Sequence, residues 1–105
     1  MTAEMSKYGA WTSEEVVTPE EEKICHEMKP DIEKKAGVTF RAYIPLSFRS
    51  QLVSGTNYLV KVYVGVDKCV HAMISQALPC NGGELTVTAV QHPKSASEPL
   101  IPFDN

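Results

Sequence analysis

A chain of 105 residues with 43% hydrophobic and 22% charged residues has the size and composition of one globular domain. Its formal net charge of −3 speaks against nucleic acid as a partner. No apolar run approaches the ~20 residues of a membrane span, and the first residues carry no apolar stretch of signal-peptide type.

Residues 1–17 show no sustained hydrophobic period and are expected to form an extended arm, with Tyr8, Gly9 and Trp11 among Ser, Thr and charge. A helix start follows. Thr18 can cap, Pro19 suits the first helical position because its missing N–H would be unpaired there anyway, and Glu21 completes a capping box. One long helix is expected through "EEEKICHEMKPDIEKKAG", with Ile24, Met28 and Ile32 on one stripe at i, i+4, i+8. Gly37 stands at the C-cap after Lys34 and Lys35. Pro30 lies inside this helix and should kink or loosen its second half.

From Val38 the period changes to two. Phe40, Ala42, Ile44, Leu46 and Phe48 alternate with Arg41, Tyr43, Pro45, Ser47 and Arg49, which predicts a long strand with one buried face. Pro45 cannot donate to a ladder and marks an edge or a bulge. Next come Tyr58, Val60, Val62 and Val64, then the turn "GVD", then Val70, Ala72 and Ile74, then the turn "LPCNGG". Leu85, Val87 and Ala89 form a last strand, opposite Thr86, Thr88 and Val90. The Pro-rich tail, residues 91–105, is expected to lie extended over the surface. Short loops imply antiparallel neighbours, so the expectation is a single α+β domain over residues 1–105, a helix packed across a four-stranded meander. In such a meander the first and third turns fall at the same end. Both carry apolar residues: "QLVSG" has Leu52 and Val53, and "LPCNGG" opens on Leu78. A solvated turn gains nothing from such side chains. Either these tips fold back on their own core or they are built to be buried in something else.

Gln51-Leu52-Val53-Ser54-Gly55 matches the cystatin pattern Gln-x-Val-x-Gly. The chain resembles the cystatins, and within them the stefin group, across residues 9–90. The longer stretch "SFRSQLVSGTNYLVKVYVG", the Leu78-Pro79 pair in "SQALPCN" and the helix phrase with its Lys-Pro carry the resemblance. Gly9 stands about where the family keeps an N-terminal glycine. The tail is longer and richer in Pro than the usual stefin ending. The resemblance implies a cystatin-like fold, one long α-helix packed across a curved antiparallel sheet. It implies a reversible, tight-binding inhibitor of papain-like cysteine proteases such as the cathepsins, and no enzyme. In that family the arm and two hairpin loops form a wedge. The residues that would carry it here are Gly9, Gln51, Leu52, Val53, Ser54, Gly55, Leu78 and Pro79, with Tyr8 and Cys80 as further contacts. No cofactor or metal is implied. Stefins exchange strands, so a monomer able to form a domain-swapped dimer is expected.

Three cysteines, Cys25, Cys69 and Cys80, are odd in number and irregularly spaced. They fit reduced thiols and a cytoplasmic location. Cys25 adjoins His26, but neighbours i and i+1 on a helix do not face each other, so the pair makes a poor nucleophile and base. The cysteines and histidines lack the usual spacing of zinc ligands. The alternative to inhibition is an interaction or structural protein on a cystatin fold, which a protease assay separates from it.

Overall fold

The computed structural model describes residues 9–103. In chain order it has β1 (Glu15–Val16), α1 (Pro19–Glu27), α2 (Lys29–Ala36), β2 (Ile44–Val53), β3 (Gly55–Gly65), β4 (Lys68–Gln76), a 3-10 turn (Pro79–Asn81) and β5 (Leu85–Lys94). The strands form one antiparallel sheet in the order β1-β2-β3-β4-β5. The class is α+β, as expected, with a fifth strand taken from the arm.

Helix α1 starts as its sequence dictates. The Glu21 carboxylate reaches back to accept from the Thr18 N–H at 2.8 Å and the Thr18 hydroxyl at 2.6 Å. The one long helix anticipated is divided at Met28, whose backbone leaves helical geometry at φ −95° and ψ 4°. Pro30 is the cause, since it has no N–H to offer the carbonyl of His26 four residues back. Helix α2 ends where Gly37 turns to φ 77° and donates its N–H to the Glu33 carbonyl at 2.8 Å.

Ile24, Cys25, Met28 and Ile32 pack against Tyr58, Val60, Val62 and Val64 of β3 and Val70, Ala72 and Ile74 of β4. The alternation on β3 and β4 holds along their length. Of the four register slips among the described residues of the sheet, two move residues off the faces that simple alternation gives them. Between Pro45 and Ser47 the β2–β3 register slips, with Pro45 opposite Val62 and Ser47 opposite Lys61. The extra residue inverts the phase. Pro45 is therefore buried and Ile44 is 53% exposed, the reverse of the simple alternation, while Phe48 returns to the core. A second slip on β5 sets Val87 opposite Ile74 but Ala89 opposite Met73 and Val90 opposite Ala72. Ala89 and Val90 thus exchange the faces that a regular strand would give them, and Val90 packs against the helix-side core.

The face away from the helices is also covered. Leu59, Cys69, His71, Ala89 and even Lys61 are buried there. The chain after β5 crosses this face. Lys61 donates from Nζ to the Ala96 carbonyl at 2.8 Å, Arg49 donates from Nη1 to the Leu100 carbonyl at 2.7 Å, and Leu100 is only 2% exposed. Arg49 also donates from Nε to the Thr12 carbonyl at 2.7 Å, so one guanidinium ties the arm and the tail together.

Candidate functional site

Two turns meet at one end of the sheet. The first hairpin is tighter than the loop anticipated from the sequence. Gln51, Leu52 and Val53 are still in β2, Gly55 already begins β3, and Ser54 alone lies between them. Leu52 is 61% exposed and Ser54 is exposed, whereas Val53 is half-buried. Of the two readings open for an apolar tip, folding back on its own core is thereby excluded for Leu52.

Gly55 shows why the tip can sit where it does. Its φ is +112°, a region that L side chains rarely adopt. A Cβ at this position would also run into the backbone carbonyl oxygen of Gln76 and stand 3.4 Å from the Cα of Ala77. Glycine is required twice over, for its dihedral and for the close approach of the first tip to the root of the third turn.

The third turn is built by its own backbone. Leu78 accepts from the N–H groups of Asn81 at 2.9 Å and Gly83 at 3.0 Å, and Gly82 donates to the Pro79 carbonyl at 3.0 Å. Gly82 and Gly83 take φ of 99° and 65° to close it. Ala77 N–H bonds the Glu84 carbonyl at 2.9 Å and seals the stem. Leu78 stays 36% exposed and Pro79 and Cys80 are exposed. Gly55, Leu78 and Pro79 share the wall of a shallow cavity of about 540 Å³ that opens beside the start of α1. Glu20 and Tyr58 complete it, a contribution from helix and core that no turn motif announces.

The arm reaches the same end. Trp11 bridges Gln51, Thr12 N–H donates to the Ser50 carbonyl at 2.9 Å, and Ser50 N–H donates to the Thr12 hydroxyl at 3.0 Å. Gln51 donates from Nε2 to the Gly9 carbonyl at 2.7 Å. Its Oε1 accepts from Asn57 Nδ2 at 2.9 Å. Gln51 thus braces the arm as well as the hairpin. The structure brings Gly9 to Gln51, and Gly55 to Leu78 and Pro79. Tyr8 lies outside the described residues.

The other reactive candidates have structural surroundings. Cys25 is on the buried face of α1, and burial, with Glu21 and Glu22 nearby, pushes its thiol up to about 12. Such a thiol is no nucleophile at neutral pH. His26 points away to the surface, its ring 5.5 Å from that of Tyr43. Among the described residues no group of three His, Cys, Asp or Glu side chains could hold a metal ion. No helix among them is long and apolar enough to cross a membrane. Cys25, Cys69 and Cys80 are unpaired, and Cys80 alone of the three is exposed.

Residues 13–95 match the model of the cystatin domain. The chain is 40% identical over 82 residues to Cystatin-B of Oplegnathus fasciatus, covering 78% of this chain and 82% of that protein. It is 41% identical over 93 residues to Cystatin-B of Paralichthys olivaceus, covering 88% of this chain and 95% of the relative. It is 34% identical over 103 residues to the leukocyte cysteine proteinase inhibitor 1 of Sus scrofa, covering 98% and 100% of the two chains.

Proposed function

The chain belongs to the cystatin family, in its stefin group, and from that premise we propose that it is a reversible, tight-binding inhibitor of papain-like cysteine proteases, the cathepsins among them. It is an inhibitor and not an enzyme. The arm around Gly9, the first tip (Gln51, Leu52, Val53, Ser54, Gly55) and the Leu78-Pro79 turn form the wedge that enters the protease cleft. Tyr8 and Cys80 are the further contacts in this reading.

The observation that carries this reading is the exposed Leu52 beside the exposed Leu78-Pro79 turn, two apolar tips locked together through Gly55. Transferring such side chains into a cleft is favourable by ~25 cal/mol per Å² of apolar area. Because both tips are already shaped by backbone bonds, docking orders little that was free. Gly9, with no side chain to seat, passes the protease's nucleophile without presenting a well-placed scissile bond, so the inhibitor is not consumed.

The reduced thiols, two of them buried, suit a cytoplasmic location. The single residue between β2 and β3 is also the hinge through which two copies could exchange strands into a swapped dimer. Such a dimer would extend the first tip and lose the wedge. Titration of papain decides the reading. Activity should fall in proportion to added protein and return on dilution, with intact inhibitor recovered by mass spectrometry. Full papain activity at a micromolar excess would overturn it.

A further inference from the structure

The inhibitory end contains a polar relay that runs across three strands and ends on the arm. Gln51, Asn57 and Ser75 stand in register on β2, β3 and β4, all on the face away from the helices. Ser75 donates from its hydroxyl to Asn57 Oδ1 at 3.0 Å. Asn57 donates from Nδ2 to Gln51 Oε1 at 2.9 Å. Gln51 donates from Nε2 to the Gly9 carbonyl at 2.7 Å.

The polarity of this relay is determined from one end. A backbone carbonyl can only accept, so Gln51 must turn its NH₂ to Gly9 and its oxygen to Asn57. Asn57 must then turn its NH₂ to Gln51 and its oxygen to β4. Ser75, whose hydroxyl can donate or accept elsewhere, is here constrained to donate. Each amide is useful to the arm in only one of its two orientations. A chain of such bonds also polarises its members in the same direction. Ser75 directly precedes Gln76, whose carbonyl lies against Gly55. The relay therefore starts at the root of the third turn, crosses the stem of the first tip and ends on the arm.

We propose that Asn57 and Ser75 are positioning residues for inhibition: they hold the Gln51 amide with its NH₂ toward Gly9 and so pre-order the arm beside the two tips before a protease arrives. Neither needs to touch the protease. The consequence for binding rests on the wedge reading above; the consequence for the free arm does not. An arm held in place loses less entropy on docking, at ~1–2 kcal/mol for each backbone residue that no longer has to be ordered.

Two substitutions reverse or cut the relay with little change of shape. Asn57→Asp offers Gln51 only an acceptor, so the Gln51 NH₂ turns to the new carboxylate and its oxygen turns to the Gly9 carbonyl, which it cannot bond. Gln51→Glu removes the NH₂ itself. The first measurement uses the free protein and no protease: backbone ¹⁵N relaxation at residues 9–12. Both variants should show markedly lower order there than the parent, with Ser75→Ala intermediate and unchanged order in β3 and β4. Equal arm order in parent and Asn57→Asp would overturn the proposal. If Asn57→Asp does not fold, Ser75→Ala and Gln51→Glu decide it by the same comparison.

The second measurement is dissociation from papain, in the full chain and in a variant lacking residues 1–9. Asn57→Asp should speed dissociation ~10-fold in the full chain, the equivalent of one hydrogen bond, and leave it unchanged in the truncated one. A merely structural role for Asn57 would speed both equally, and that result would overturn the positioning claim. If the parent fails to inhibit papain, the inhibitory reading falls alone, and the relaxation data still decide whether the relay orders the arm.

Discussion

On the helix side of the sheet, Val60, Val62, Val70 and Ala72 lie beneath Ile24, Cys25 and Ile32; on the opposite side, Lys61 and His71 are buried beside Leu59 and Cys69. The first layer is held by apolar area, a non-directional force that scales with surface removed from water. The second is held by donors on β2 and β3 that reach carbonyls of the arm and tail: Arg49 to Thr12 and Leu100, and Lys61 to Ala96. Lys61 also lies 3.5 Å from the Glu14 carboxylate. One side of the sheet should therefore respond to lost volume and the other to protons. The end that carries the two apolar tips draws on both. Tyr58 of the helix-side core lines the cavity beside the Leu78-Pro79 turn, while Gln51, itself bonded by Asn57, holds the arm from the other face.

The largest effect should come from breaking the helix side. Ile32→Ala removes a side chain with no exposure at all, wedged between α2 and the sheet. It should cost about 2–5 kcal/mol of stability, from lost transfer energy and the cavity left behind. Urea unfolding measures it, and a loss under ~1 kcal/mol would mean that this layer does not dominate the fold.

The next effect belongs to the opposite side and appears on acidification. His71 is buried, and its Nε2 has no hydrogen-bond partner among the described residues. Burial first, then Lys61 and Lys94, hold its pKa at about 4 against an ordinary 6.5, with the carboxylates of Glu98 and Glu14 pulling it back. The unfolded chain takes up a proton near pH 6.5 that the folded chain refuses until about pH 4. Stability should therefore be highest above pH 6.5 and fall as the pH drops through that window, by up to about 3 kcal/mol. His71→Leu should flatten this part of the curve. The carboxylates of Glu14, Glu33 and Glu98, lowered from 4.5 by their hydrogen bonds, lose their own contribution only as pH falls below about 4.5. Parallel curves for parent and His71→Leu between pH 6.5 and 5 would show that another group refuses the proton.

The smallest effect separates both layers from the rest of the surface. At the end opposite the two tips, the β3–β4 turn places Val66 and Asp67 at φ of 56° and 58°. Turns of this kind favour Asn and Gly, and a β-branched residue there is strained. Val66 is also 78% exposed, more so than Leu52, and it lies at the end away from the paired tips. Val66→Asn should raise stability by about 1 kcal/mol, read as a higher melting temperature. It should leave papain inhibition and the acid slope unchanged. A change in inhibition would mean that the far turn also touches the protease. If inhibition is unchanged, exposure of an apolar residue is not by itself a sign of function.

How far each layer could be read from the chain follows the same division. Residues 58–64 and 70–74 alternate with no interruption, and their faces are where the pattern puts them, because a half-buried strand sorts its side chains by the period of the backbone itself. Thr18, Pro19, Glu21 and Gly37 mark helix ends through contacts within a few residues, and Pro30 marks the break at Met28 in the same local way. The bulge after Pro45 was signalled by the proline. The slip between Val87 and Ala89 on β5 had no such marker, and Ala89 and Val90 changed sides unannounced.

The sequence by itself determined the helical segment and the four main strands, the side of β3 and β4 that faces the helices, and the two apolar turns, whose common end follows from short loops between antiparallel strands; it did not announce β1. Only the tertiary structure decided that residues 9–17 are pinned to β2, that residues 95–103 cover the second face, that Gly55 lies against Gln76, and that Asn57 and Ser75 lead to Gly9. The physical reason is the nature of the partners. The contacts that fix the arm and the tail, including the bond from Gln51 that ends the relay on Gly9, have a backbone carbonyl or N–H on at least one side, and every residue except proline carries both. Side-chain identity, which is all that a sequence pattern reports, cannot say which of them a distant donor will find.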